Sequence, residues 1–183
     1  MTGSRVQEWF GPQFGELHPL LQHLHLQGGQ LAGVVEIYIP PGVAGCFGRH
    51  LARKLGVPVD GGQHQLQVNI SHQVDGMHWD RCFDNTSFMR SLFYPVGALP
   101  DGYWIEDTGP LQMRLSVDVK DGGWHWRCLE MRLFGWRLPL WLFPNSSAFK
   151  TIKQGQYKFH VGFSLPYFGT VLSYSGALSP IES

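Results

Sequence analysis

Apolar and polar residues alternate through most of the chain beyond residue 60, which is the period of a β-strand with one buried face. The clearest case is Leu111 to Lys120, in which odd-numbered positions are apolar and even-numbered positions are polar. The same alternation predicts strands over His64 to Asp75 and over Gln156 to Leu165. Turn signals such as Asp121-Gly122-Gly123 separate the strands, which indicates antiparallel hairpins.

The strand that follows Gly123 changes parity part-way along its length. Trp124 and Trp126 occupy even positions, whereas Met131 and Leu133 occupy odd positions. One extra residue in this strand, a β-bulge, would bring both sets to the same face of the sheet. We therefore predict a bulge near Arg127-Cys128.

The first third of the chain begins with helical rather than strand periodicity. Residues 1–12 are interpreted as a loose lead-in. A helix is predicted over about Gln13 to Gln27, because its leucines recur at i, i+3, i+4 and i+7. His18, Gln22 and His25 share a neighbouring stripe of this helix. A solvated or capped polar face is the preferred interpretation of that stripe, with metal ligation as the alternative.

A strand and a second helix follow. Leu31 to Ile39 is rich in β-branched residues and predicts a strand that ends at Pro40-Pro41. Val43 to Leu55 keeps the helical period, and Gly56 ends it.

These elements predict a mainly β fold: an antiparallel barrel or half-barrel of about nine strands with one or two short helices in the N-terminal third. No β-α-β alternation appears, so a parallel sheet is disfavoured. Residues 1–183 contain no internal repeat and no linker-like segment, which predicts a single domain. The apolar segment Gly135 to Pro144 is predicted to cover the core at the barrel mouth, with contact to a lipid surface as the alternative.

Composition argues against several classes of function. The net charge is zero, so there is no basic surface for nucleic acid. The three cysteines form no disulfide framework, and no secretory signal is evident at the N-terminus. No apolar run approaches the ~20 residues that span a bilayer. We therefore expect a cytoplasmic protein with no transmembrane segment and no nucleic-acid partner. No nucleotide fingerprint or metal-ligand set appears, so no cofactor and no metal is predicted.

The candidate site lies where charged and aromatic residues share a strand face between Met77 and Asp107. The predicted ligand-binding residues are Trp79, Arg81, Phe83, Phe88, Arg90, Trp104 and Glu106. If their faces point into the barrel, Arg81, Arg90 and Glu106 enter an apolar interior, where a charge is costly unless it is paired. Two interpretations stay open. The charges form an internal network or lie on half-buried faces, or a partly unpaired arginine holds an anionic head group.

No catalytic residue is predicted. Glu106 and Asp107 are adjacent on a strand and point to opposite faces, so they cannot act on one substrate as acid and base. His78, Asp80 and Cys82 share a face, but consecutive positions of one strand give poor geometry for a catalytic triad.

Several segments, in this order along the chain, resemble one bacterial family. They are FGELHPLLQHLH, HWDRCF, IEDTGPLQMRLSV, DGGWHWRCLEMRLFGWRLPLWLFP and YKFHVGFSLPYFGTVLSYSGAL. Together they are similar to the family catalogued as domain of unknown function 4166, over nearly the whole chain. The most specific pieces are W-x-R-x-F at Trp79 to Phe83, E-x-x-G-P at Glu106 to Pro110, and the closing run Pro166 to Leu178. In that run Ser175 stands where the family usually has a basic residue.

The resemblance implies no agreed activity. Members of that family occur alone or behind a nicotinamide-dependent reductase domain, which implies a reductase as one candidate partner. Our leading hypothesis is a soluble β-barrel-like module that binds a small hydrophobic ligand, in one version an acidic one. An accessory domain for a reductase with no ligand of its own is the first alternative. An enzyme acting on a hydrophobic substrate inside the barrel is the second.

Overall fold

Antiparallel strands joined by short turns make up most of the computed structural model, which describes residues 5–139, 141 and 147–181. The strands are β1 (Gly29–Tyr38), β2 (Gly62–Gln73), β3 (Gly76–Phe83), β4 (Ser87–Val96), β5 (Tyr103–Asp107), β6 (Leu111–Lys120), β7 (Gly123–Leu133), β8 (Trp136–Leu138), β9 (Ser147–Lys153), β10 (Gln156–Leu165) and β11 (Gly169–Pro180). The helices are α1 (Arg5–Phe10), a 3₁₀ helix (Gly11–Glu16), α2 (Pro19–Gln27) and α3 (Gly42–Leu55). Strands account for 57% of the chain, which confirms the predicted mainly β class.

Ten of the eleven strands close into a barrel. Each pairs antiparallel with the next in the order β1-β2-β3-β4-β5-β6-β7-β9-β10-β11, and β11 returns to pair with β1. Strand β8 pairs with the end of β7 and lies outside this ring. The count of about nine strands omitted β8, because it lies in the apolar segment Gly135 to Pro144 that was interpreted as a cover for the barrel mouth. Residues 140 and 142–144 of that segment lie outside the described residues.

The bulge predicted near Arg127-Cys128 is confirmed. The register between β6 and β7 shifts at this point and leaves Leu129 of β7 without a partner on β6. Because of this one extra residue, Trp126 before the shift and Met131 after it are both buried.

One end of the barrel, which we call the plug end, is closed by the N-terminal segment. The prediction of a loose lead-in is wrong from residue 5 onward, because Val6, Trp9 and Phe10 bury one face of α1. The Nε1 of Trp9 donates to the carbonyl oxygen of Val96 at 3.2 Å. The ring of Phe10 packs edge-to-face on Trp124, with 4.8 Å between centroids. Helix α1, which we call the N-terminal plug, is therefore part of the hydrophobic core.

The helix predicted over Gln13 to Gln27 is interrupted at His18. This residue has an extended backbone with ψ 139°, and its ring nitrogen Nδ1 accepts from the amide of Leu20 at 3.2 Å. A proline disfavours helical conformation in the residue before it, yet is well suited to the first position of a helix. Pro19 therefore ends the 3₁₀ segment and starts α2.

Helix α3 closes the opposite end, which we call the α3 end. Gly48 faces β11 so closely that a Cβ would overlap the carbonyl oxygen of Val171. Gly56 ends the helix with φ 77° and lies against the carbonyl of Phe88. This close backbone contact positions Leu55 over the interior. Within the described residues, no helix combines the length and apolar content needed to cross a bilayer.

Candidate functional site

Five of the seven residues predicted to line the interior are buried. They are Trp79, Arg81 and Phe83 on β3 and Trp104 and Glu106 on β5. Phe83 and Trp104 belong to the packed aromatic core, whereas Trp79, Arg81 and Glu106 border internal cavities. The alternation in β3 and β5 therefore predicted correctly that one arginine and one glutamate enter the barrel.

The inward orientation predicted for Phe88 and Arg90 is wrong. Phe88 is 59% exposed, and the 80%-exposed side chain of Arg90 lies on the outer surface, with its Nε 3.8 Å from Oδ1 of Asp80. Paired residues in an antiparallel ladder share a face, and Arg81 pairs with Met89 while Asp80 pairs with Arg90. Both faces of β4 carry apolar residues, so its own alternation does not select the inner face. The pairing of β4 with β3 decides which face of β4 points inward.

Arg81 and Glu106 belong to one hydrogen-bonded chain that passes through Ser91 of β4. The Nη1 of Arg81 donates to Ser91 Oγ at 2.8 Å, and Ser91 Oγ donates to Glu106 Oε1 at 2.8 Å. Arg81 Nη2 also lies 3.8 Å from Glu106 Oε1. Burial raises the pKa of Glu106, and the charge of Arg81 opposes this rise. A buried Arg-Ser-Glu chain therefore stands where an Arg-Glu-Arg network was predicted.

Lys150 of β9 is a second buried cation, which the sequence analysis missed. It is 4% exposed, and its Nζ lies 3.8 Å from the ring centroid of Trp79 and 4.6 Å from that of Trp126. Cation-π contacts favour the ammonium form. Burial, followed by the charge of Arg81, lowers the pKa of Lys150 well below its ordinary value. Among the described residues, no carboxylate oxygen lies within ion-pair distance of this Nζ.

The polar neighbour of Lys150 is His25 of α2. Lys150 Nζ lies 3.4 Å from His25 Nε2, and His25 Nδ1 lies 2.6 Å from the carbonyl oxygen of Leu21. A carbonyl oxygen only accepts, so Nδ1 carries the hydrogen and Nε2 of the neutral ring accepts from Lys150. Burial, then the charge of Lys150, lowers the pKa of His25 well below its usual range. The predicted solvated or capped polar face is wrong for His25, which is fully buried, whereas His18 caps α2 as that prediction allows.

Comparison with known proteins identifies a family for the chain. The family model described as Domain of unknown function (DUF4166) matches residues 17–178. The chain belongs to this family. No curated protein matches the chain. The matched range contains both buried cations and their polar neighbours, whereas α1 and the 3₁₀ helix precede it.

Ser175, at which the resemblance predicts a departure from a basic residue of the family, lies away from the interior charges. Its neighbour Tyr174 is buried, so Ser175 faces the outer surface, opposite Glu36 of β1 and His160 of β10. A basic side chain at this position would therefore point away from the barrel interior.

Two cavities lie inside the barrel of this DUF4166 domain, and Arg81 borders both. The α3-side cavity, bordered by Leu55 and Glu106, offers about 30 Å³ to the centre of a water molecule. The plug-side cavity, bordered by Lys150 and Tyr157, offers about 20 Å³. Each admits water, because a water molecule needs roughly 10–15 Å³ by this measure. A larger molecule requires side chains of the walls to move.

Side-chain hydrogen-bond donors border the plug-side cavity, whereas no described carboxylate lines it. Lys150 Nζ borders it, and Trp79 Nε1 is buried with no hydrogen-bond partner among the described residues. Burial raises the pKa of Tyr157, which keeps its hydroxyl protonated. Neutral His25 offers one acceptor, and Oε1 of Glu106 already accepts from Ser91. A carboxylate or carbonyl oxygen of a ligand would accept hydrogen bonds from these donors.

The other side chains considered for chemistry form no catalytic arrangement. His78 Nε2 lies 2.8 Å from Oδ1 of Asp75, so its close carboxylate is not that of Asp80. Burial raises the pKa of Cys128 to about 11, which keeps its thiol protonated near neutral pH. Within the described ranges, no three His, Cys, Asp or Glu side chains cluster as metal ligands.

The residues missed by the sequence analysis left weak signals. Lys150 alternates with Ala148 and Ile152, but Phe149 on the opposite face made the buried side ambiguous. His25 follows Leu21 by four residues, a spacing that puts both on one face of a helix. Ser91 carried no signal that distinguished it from other polar residues of β4.

Proposed function

We propose that this domain binds a small molecule whose carboxylate or carbonyl group is held by Lys150 beside the plug-side cavity. The carrying observation is that the buried amine of Lys150 has no carboxylate within ion-pair distance among the described residues and feels Glu106 only from farther away, beside a cavity that no described carboxylate lines. Burying an unpaired cation is costly, and such groups beside cavities are typical of binding sites. An incoming carboxylate would supply the missing partner.

The proposal refines the small hydrophobic and acidic ligand expected from the sequence. Arg81 is engaged by Ser91 and Glu106, so it serves chiefly to shape the wall between the two cavities. Trp79 supplies an apolar wall and an unused indole N–H. Phe88 and Arg90 are excluded from the site because they lie on the outer surface.

The cavity volumes restrict the ligand to a short chain. The head group occupies the plug-side cavity, and the apolar part extends past Arg81 toward Leu55, so binding requires side chains between the cavities to move. A hydrogen bond to a charged group contributes about 1.5–3 kcal/mol. Loss of the Lys150 ammonium should therefore weaken binding by about 10- to 100-fold.

Thermal unfolding with added propanoate, hexanoate or hexanol tests the proposal. The carboxylates are expected to raise the Tm of the wild type, and hexanol is expected to raise it less than hexanoate. Lys150→Met should fold normally, because methionine fills similar volume without a buried charge, and should lose the response to carboxylates. Lys158→Met, on the neighbouring strand β10 with its side chain directed outward, is the matched control and should keep it.

Two results would overturn the proposal. One is the absence of any Tm shift with all three probes. The other is an equal response of the wild type and Lys150→Met, which would place the binding elsewhere. Native mass spectrometry of protein purified without detergent supplies an independent measurement, because a retained small acid would appear in the wild type and be missing from Lys150→Met.

A further inference from the structure

Large apolar side chains are exposed together at the α3 end of the barrel, and we call this set the apolar rim. It consists of Val43, Phe47, Phe134, Trp136, Tyr167 and Phe168. The rings of Phe47 and Phe168 are 5.6 Å apart, and Lys54 Nζ lies 5.6 Å from the ring centroid of Phe134. These contacts join α3, the β7–β8 turn and the β10–β11 turn into one surface. Exposed apolar patches of this kind mark interaction surfaces.

Two aromatic residues of the apolar rim occupy backbone conformations that disfavour them. Phe134 has φ 50° and Tyr167 has φ 66°, and both lie in tight turns where glycine or asparagine is the usual residue. Both side chains are exposed, so neither gains core packing in return for this strain. Because packing within the core does not offset this strain, both side chains are candidates for a contact outside the chain.

The two elements that carry Phe47 and Phe134, α3 and the β7–β8 hairpin, are basic, while Asp84 at the same end of the barrel is paired with His64. Helix α3 carries Arg49, Arg53 and Lys54 and no acidic residue. On the adjacent hairpin of β7 and β8, the carboxylate of Glu130 is shared between Arg132 and Arg137. The hairpin therefore adds positive charge to that of the helix.

We infer that the apolar rim docks this domain onto an anionic lipid bilayer. The exposed rings enter the interface between head groups and acyl chains, and the basic side chains of α3 contact lipid phosphates. A bilayer accommodates separate protruding rings directly, whereas a protein partner would need an acidic surface with matching pockets. The inner side of α3 contributes Leu55 to the α3-side cavity, so docking places that end of the barrel against the lipid.

Cosedimentation of the full chain with vesicles tests this inference. The wild type is expected to bind vesicles of equimolar phosphatidylcholine and phosphatidylglycerol, to bind pure phosphatidylcholine more weakly, and to be released by high salt. Phe47→Ser should lower the partition coefficient by roughly tenfold through lost apolar burial. Lys54→Gln should lower it by about fivefold through one lost charge.

Matched controls come from the plug end of the same barrel. Val74 and Lys120 are exposed there, so Val74→Ser and Lys120→Gln should bind vesicles as the wild type does. All four substituted side chains are solvent-exposed, and unchanged Tm values would show that the fold is retained.

The inference is overturned if the wild type binds neither kind of vesicle, or if the plug-end variants lose as much binding as the rim variants. Self-association of the wild type that Phe47→Ser abolishes, without vesicle binding, would assign the apolar rim to a second copy of the chain instead. Lys150→Met should bind vesicles normally, because Lys150 lies inside the barrel. The vesicle assay and the carboxylate assay can therefore refute their two proposals independently of each other.

Discussion

Replacing Arg81 with methionine removes the cation from the buried Arg-Ser-Glu chain while keeping an apolar stem. Glu106, which is 5% exposed, would keep the hydrogen bond from Ser91 at 2.8 Å but would lose the guanidinium 3.8 Å away. Removing one partner of a buried ion pair typically costs about 3–5 kcal/mol, because the other charge is left buried. We expect a loss of this size in the free energy of unfolding wherever Glu106 remains ionised.

Protonation of Glu106 gives this loss a definite pH dependence. Its folded pKa is already raised by burial, and removal of Arg81 raises that pKa further. A raised folded pKa contributes stability that is fully present below the unfolded value of 4.5 and is lost as pH rises through the folded pKa. The deficit of Arg81→Met relative to the wild type should therefore be smallest in acid and grow toward alkaline pH.

Urea unfolding followed by tryptophan fluorescence measures both effects. The wild type, Arg81→Met, Glu106→Gln and the double variant should be compared at about pH 5 and about pH 8. The double variant leaves neither member of the Arg81–Glu106 pair as an uncompensated charge, so at the higher pH it should be more stable than Arg81→Met by about 2 kcal/mol or more.

Either of two results would show that Arg81 and Glu106 are not energetically coupled. One is a cost of less than about 1 kcal/mol for Arg81→Met at the higher pH. The other is a double variant whose loss equals the sum of the two single losses, which would mean that the two side chains do not interact.

Two further predictions concern His25 and the contact of α3 with the barrel. The pKa of His25 is lowered well below 6.5, so its contribution to stability is present above pH 6.5 and is lost as pH falls through the folded pKa. The free energy of unfolding of the wild type should decline between about pH 7 and about pH 5. His25→Leu should reduce this decline more than His160→Gln does. Equal slopes in the wild type and both variants would contradict the assignment of the pH dependence to His25. Gly48→Ala should cost about 1–3 kcal/mol in urea unfolding through overlap with the backbone of β11, whereas Gly15→Ala, which meets open space, should cost much less; equal costs would contradict the packing of α3.

Local residue patterns are enough to predict the features that depend on neighbouring residues. Alternation predicted most of the barrel strands, because side chains on a strand point to opposite faces in turn. The parity change before Met131 predicted the bulge, and Gly56 marked the end of α3. Trp79, Arg81 and Glu106 were correctly placed inside the barrel because apolar neighbours on their own strands share the buried face.

Long-range contacts, which no local pattern encodes, bring together the groups that meet inside the barrel. Both faces of β4 are apolar enough to be buried, so its pairing with β3 was needed to place Ser91 inward and Arg90 outward. Lys150 and His25 are 125 residues apart, and no local pattern relates them. Their contact depends on closure of the sheet and on docking of the N-terminal plug, because long-range burial determines which polar side chains lose their water and must find partners within the protein.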